Sequence, residues 1–309
     1  MSAKEFGLWV LLTLLWGCSY VAIDIGLEAF DPFTLVSGRM IIGALMLVIV
    51  VFLVDGSLRL SWRGWAIATT VGLTGNVFPF LLISFAEQHV NSGLAALLMG
   101  VAPIVTLAVA PLIHTDETLG PLKVLGAAAG FGGVLVLVGP EALSGLTGDL
   151  VPKLALVLAA LCYAFTTLFA RRFAWPNARQ MAAASVLVGA LAIASVTAFK
   201  LSSHGLPGFA LPSVLALAYL GVGSTGLAAI LYFHLVPRIG ATRMQQTNYV
   251  IPVLGTLLGI AVLGEEPDWN TWLAIPLILL GVYLVSGKQR QRVGRSNVWA
   301  EKAPAARSG

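Results

Sequence analysis

Stretches of about twenty residues almost free of charged side chains succeed one another along most of this chain. A segment of that length is what a helix needs to cross the hydrocarbon core of a bilayer. Inside lipid the backbone has no water to bond, so each run must satisfy its own N–H and C=O groups as a helix. The runs do not alternate apolar with polar, which excludes a β-barrel. Charged residues make up 10% of the chain, against about 25% in soluble proteins, and the mean hydropathy is +0.91. The runs are therefore spans and not the buried helices of a soluble domain.

Ten spans are predicted, at about 7–27, 33–54, 64–86, 92–113, 121–139, 151–171, 180–201, 211–236, 241–263 and 271–287. Short connections make successive spans antiparallel. Asp31-Pro32, Gly120-Pro121 and Leu211-Pro212 supply start signals for the second, fifth and eighth. Lys and Arg fix the orientation. With the N-terminus inside, fifteen of them fall on the cytoplasmic side and two, Lys153 and Lys200, outside, with Arg39 left within a span. Both termini are thus expected in the cytoplasm, and the chain in a cell inner (plasma) membrane that it crosses many times. The polar, basic residues 288–309 read as a disordered cytoplasmic tail beside anionic lipid.

A shift of 149 residues carries Pro103 onto Pro252, Glu117 onto Glu266, Gly132 onto Gly281 and Gly72 onto Gly221 without a gap. Both copies hold an apolar helix with a central proline, an acidic pair and a second apolar helix. Ten spans divide into five and five, and an odd number per half forces the halves into opposite orientations. The expected fold class is an all-α membrane protein of ten transmembrane helices in two inverted five-helix repeats. The expected divisions are 1–139, an outer connection at 140–150, the second repeat at 151–287, and the tail.

Several motifs resemble those of the EamA branch of the drug/metabolite transporter superfamily over Leu8 to Gly287. They are Leu15-Trp16-Gly17-Cys18-Ser19-Tyr20, Pro32-Phe33 with Arg39, the Ala-rich fourth span ending at Pro103, Ile239-Gly240-Ala241-Thr242, Leu263-Gly264-Glu265-Glu266 and Gly281-Val282-Tyr283-Leu284. Where such proteins usually read Gly-Glu-Arg after the fourth span, this one reads Thr115-Asp116-Glu117, so the usual arginine is missing. The resemblance implies efflux or exchange of small metabolites, amino acid exporters of the YddG type among them.

Transporters with inverted repeats bind substrate near the midplane, where helices are interrupted. Pro103 and Pro252 would free the carbonyls of Met99 and Asn248, either as cavity acceptors or as simple packing kinks. Helical spacing groups polar and aromatic residues with their neighbours into inward faces: Trp16, Ser19, Tyr20 and Ile23; Asn76, Phe80 and Ser84; Tyr163, Thr166 and Thr167; Ser224, Thr225 and Tyr232; Gln245, Asn248, Tyr249 and Pro252. The candidate substrate-binding residues are Trp16, Tyr20, Arg39, Asn76, Phe80, Met99, Tyr163, Thr167, Gln245, Asn248 and Tyr249. Arg39 reads in two ways: it attracts a substrate carboxylate, or it forms a fixed ion pair with Asp24 or Glu28. The ion pair is the cheaper arrangement in lipid.

The expected function is secondary transport of a small organic metabolite, most directly an amino acid carried outward by alternating access. Drugs, nucleosides and organic cations are the alternative cargo. An intramembrane enzyme is disfavoured, because neither a Gly-x-Ser-Gly box nor His-Glu-x-x-His occurs. A scaffold or channel subunit would show no saturable flux. No catalytic residue, cofactor, metal site or nucleic-acid partner is expected: Cys18 and Cys162 sit in apolar runs and the four histidines have no ligand spacing. Gly221-Val-Gly223-Ser-Thr-Gly226 matches a nucleotide fingerprint in letters alone, since it lies within a long apolar helix. Gly126-x-x-x-Gly130 and Gly255-x-x-x-Gly259 suit packing within one bundle better than a dimer face. Proton coupling and the choice between monomer and homodimer stay open at this level.

Overall fold

A computed structural model describes residues 1–90, 92–144, 149–173, 177–204, 210–258 and 269–286. The tail, Glu265, Glu266 and Gly259 lie outside the described residues. The helices are α1 (Ala3–Leu27), α2 (Pro32–Asp55), α3 (Trp62–Glu87), α4 (Ser92–Met99, continuing as Val101–Ile113), α5 (Pro121–Ser144) and α6 (Leu150–Arg172). They continue as α7 (Ala178–His204), α8 (Leu211–Ile239), α9 (Ala241–Gln245, continuing as Thr247–Leu258) and α10 (Trp269–Ser286). Seven are both long and apolar enough to cross a membrane, and the remaining three are shorter or interrupted.

The helix starts follow local chemistry. The Ser2 hydroxyl accepts from the Glu5 amide while the Glu5 carboxylate accepts from the Ser2 amide, a closed capping box at α1. Asp31 caps α2 by accepting from the Phe33 amide at 3.0 Å, with Pro32 at the first helical position. One boundary differs from expectation. Gly139 (φ 70°) breaks α5 where the fifth span was predicted to end, but helix resumes as far as Ser144.

Large apolar side chains point outward, Leu53 at 81% exposure and Leu112 at 84%, a surface compatible with lipid and not with water. Small residues let helices close up inside. A Cβ at Gly281 would stand 2.5 Å from the Gly130 amide nitrogen and 2.6 Å from the Gly126 carbonyl, so α5 and α10 meet backbone to backbone. The Gly126–Gly130 pattern is thus occupied within the bundle, as preferred.

Two segments depart from regular helix. Leu73–Val77 in α3 and Leu220–Leu227 in α8 widen into π-helical turns. The 149-residue shift carries the first inside the second. Gly72 and Gly221 open them: a Cβ at Gly72 would lie 2.3 Å from the Ser185 carbonyl of α7, and one at Gly221 2.5 Å from Cβ of Ile42 in α2. The matched glycines therefore mark equivalent close crossings, α3 on α7 and α8 on α2. The halves are two inverted five-helix repeats.

Candidate binding cavity

Between the halves lies a cavity of about 90 Å³, several times the space one water needs. Its walls come from α1, α2, α3, α6, α8 and α9. Both π turns contribute, through Gly75 and Asn76 on one side and Ser224 and Thr225 on the other. Such widened turns misalign backbone groups, which become available to side chains. The Ser224 carbonyl accepts from the Trp16 indole at 3.2 Å.

Nine of the eleven predicted residues line this space: Trp16, Tyr20, Arg39, Asn76, Phe80, Tyr163, Thr167, Gln245 and Asn248. Met99 and Tyr249 do not. Met99 is buried among apolar side chains of α1, α3 and α6, just before the break at Gly100. Tyr249 is buried in a notch cut by Gly130, where a Cβ would come within 2.5 Å of its ring. Asn248, the counterpart of Met99 under the shift, does face the cavity, so the repeat fixes the helices without making the lining symmetric. Sequence reasoning missed Val71, Ile83, Ala229, Phe233, Met244 and Ile251, whose apolar side chains carry no signal separating a cavity wall from a lipid face. Ser84 is buried with an unpartnered hydroxyl, outside the lining.

Arg39 is 1% exposed yet reaches the cavity. The predicted ion pair with Asp24 or Glu28 is not formed, which corrects the cheaper of the two readings. Instead its Nε donates to the Thr225 hydroxyl at 3.1 Å and its Nη2 to the Ser224 hydroxyl at 2.7 Å. The guanidinium lies 3.9 Å from the Phe80 ring centroid. Two hydroxyl dipoles and an aromatic face spread the charge without cancelling it, and Nη1 makes no hydrogen bond among the described residues. Asp24 points away to the exposed side of α1.

An amide chain forms the opposite wall. Gln245 Nε2 donates to the Tyr163 carbonyl at 2.8 Å and to the Thr167 hydroxyl at 3.0 Å. Asn248 Nδ2 donates to Gln245 Oε1 at 2.8 Å, and the Tyr232 hydroxyl donates to Thr167 at 3.1 Å. These bonds hold Asn248 with its Oδ1 uncommitted. Asn76 makes no side-chain hydrogen bond among the described residues, which leaves both its donor and its acceptor for a ligand.

The face that carries the N-terminus is tied across the halves. Glu117, buried after α4, accepts from Arg171 Nη1 of α6 at 2.8 Å and from the Ala241 amide at 2.8 Å. The Thr242 amide and hydroxyl donate to it as well. Arg171 also pairs with Asp116. The arginine missing next to Glu117 in sequence is thus replaced by one 54 residues away. Gly240 (φ 91°) makes room, since a Cβ there would strike Arg171 Nη1 at 2.0 Å. Burial works to raise the Glu117 pKa, but the Arg171 charge and the bonds from Thr242 and Arg171 outweigh it and hold the carboxyl below its usual value. Burial, helped by Arg171, lowers that of His114, whose Nε2 lies 3.1 Å from the Leu168 carbonyl. On the same face Arg179 grips Asp55 at 2.7 Å.

A ten-helix bundle with equivalent π turns on either side of an enclosed cavity is an architecture suited to a membrane carrier. The sequence pattern of the EamA-like transporter family matches residues 5–139 and again residues 152–287, and the chain belongs to that family. It is therefore a transporter and not an enzyme. It is 28% identical over 287 residues to a protein described as the uncharacterized inner membrane transporter YedA of Escherichia coli K12, covering 91% of this chain and 90% of that one. A transporter of Bacillus subtilis, YoaV, is 24% identical over 89% of this chain and 94% of its own. A crystal structure superposes with a TM-score of 0.74 at 24% identity, covering 92% of this chain and 98% of that chain, and shows the same fold.

Proposed function

We propose that the protein exports amino acids by alternating access around this cavity. The observation that carries the reading is Arg39: a buried cation at the cavity wall, held by two hydroxyls and a ring, with no carboxylate paired to it among the described residues. Such a group is a ready partner for a substrate carboxylate, and removing the charge's own counter-ion leaves that demand to the ligand. Asn76 and the Oδ1 of Asn248 offer further hydrogen bonds to a polar solute, and the rings of Trp16, Tyr20, Phe80 and Tyr163 suit an apolar side chain. Organic cations fit poorly beside Arg39.

The ties at Glu117 and Arg179 close the face that holds the N-terminus, which the distribution of Lys and Arg assigns to the cytoplasm. Their release, with rocking of one half against the other, would open that face. The test is counterflow in proteoliposomes with labelled amino acids, nucleosides and organic cations. Saturable exchange of zwitterionic amino acids is expected. Exchange confined to nucleosides or cations, or no saturable flux, overturns the reading.

A further inference from the structure

Glu87, the last residue of α3, occupies an unusual position. Asn76, Phe80, Ile83 and Glu87 are spaced four, three and four residues apart and so share one helix face, of which the first three line the cavity. Glu87 extends that face one turn beyond Ile83, toward the side of the membrane opposite the N-terminus. Both of its carboxylate oxygens are buried, and neither accepts a hydrogen bond among the described residues. The groups that feel its charge are Tyr20 and Asp24 of α1, Arg39 of α2 and Tyr163 of α6, yet no ion pair with Arg39 forms. In the turn that follows, His89 lies against α3, its Nδ1 2.9 Å from the Phe85 carbonyl and its ring against Phe85.

A carboxylate with two dry, unbonded oxygens is strongly disfavoured if ionised, and binding a proton or a cation relieves it. Among the described residues the cation whose charge reaches it is Arg39, and the two form no ion pair. We propose that Glu87 is the proton-binding site of the transport cycle, and that a proton and the ammonium group of the substrate compete for it. This rests on the amino acid reading above for its second half only. With its carboxylate on Arg39, a zwitterion would turn its ammonium toward Glu87, which must then be ionised. When the cavity opens opposite the N-terminus, a proton from that side takes the carboxyl, the ammonium loses its partner and the amino acid leaves. The proton-loaded, empty carrier returns and gives up the proton as the next substrate binds. One proton moves in for each amino acid moved out. The unbonded Glu87 described here corresponds to the proton-loaded form, with the face at Glu117 shut.

Two measurements on the full chain decide it. In infrared difference spectra of the purified protein without substrate, wild type at neutral pH should show a carboxylic-acid carbonyl band that Glu87→Gln lacks. A band unchanged in the variant overturns the proton site, whatever the substrate is. In proteoliposomes loaded with labelled L-phenylalanine or L-alanine, an imposed pH gradient should drive wild-type accumulation. Glu87→Gln should reduce that accumulation about tenfold more than it reduces exchange at equal pH, with Glu87→Asp partly restoring it. A variant that responds to the gradient as wild type does overturns the coupling. If neither probe exchanges in wild type, the amino acid reading fails, and the infrared comparison still decides Glu87.

Discussion

Arg39 shows how much a single buried charge depends on neighbours remote in sequence. From the letters alone, Asp24 and Glu28 are the nearby carboxylates, and an ion pair within the outer ends of α1 and α2 is the economical guess. The hydroxyls of Ser224 and Thr225, some 185 residues on, take the guanidinium instead. They can do so because the π turn of α8 presents both side by side. The planar fork uses two donors in two directions while stacking on Phe80, and an ammonium cannot copy that arrangement. Arg39→Lys should therefore weaken substrate binding by about 10- to 100-fold, the value of a charge-assisted hydrogen bond. Phe80→Leu should cost about 3- to 30-fold through the lost cation–π contact. Both are read as a rise in the half-saturation concentration of counterflow. An unchanged value in correctly inserted Arg39→Lys would mean that the residue serves packing alone.

Among the elements, α3 and α8 set the geometry of the chamber. Each enters its π turn at a glycine that lies hard against a neighbouring helix, and the wider turn then swings polar residues inward. Gly72 meets backbone at 2.3 Å and Gly221 meets a side chain at 2.5 Å. Cβ of Ile42 and the Ser185 carbonyl are both fixed to their helices, so neither can rotate out of the way. Gly72→Ala and Gly221→Ala should thus each destabilise by about 1–3 kcal/mol, as seen in thermal unfolding in detergent. An unchanged stability in either variant would contradict the crossing assigned to it. The matched glycines were legible in the sequence; the π turns were not, since no local signal separates one widened turn from regular helix in an apolar run. Nine of the residues picked out on α1, α2, α3, α6 and α9 lie against the cavity, because the helical period sets which positions share a face. Met99 and Tyr249 fell outside because tertiary packing takes them elsewhere: Met99 into the apolar cluster between α1, α3 and α6, and Tyr249 into the notch at Gly130 of α5.

For the molecule as a whole, the tie at Glu117 couples the first half to the start of α9 in the second. It caps the Ala241 and Thr242 amides while holding Arg171. Glu117→Gln should speed hydrogen exchange at those two amides about tenfold, in keeping with the loss of a helix cap. Its pKa is depressed in the folded protein, so its contribution is fully present above the ordinary carboxylate value and disappears as pH falls through the lowered one. The same amides in wild type should stay protected across neutral pH and open only in acid. Loosening near pH 7 would show that another contact holds this face.

The sequence by itself determined the solvent, the all-helical class, the division into repeated halves and which polar residues share a helical face. Each of these follows from the period and length of apolar runs, which the bilayer enforces on any chain. What meets what across the interior was decided by tertiary structure alone. Arg171 on Glu117, Arg39 on two hydroxyls, and Glu87 left unbonded all depend on helices brought together from distant parts of the chain, where contact distance and not position along the backbone sets the energy of a charge.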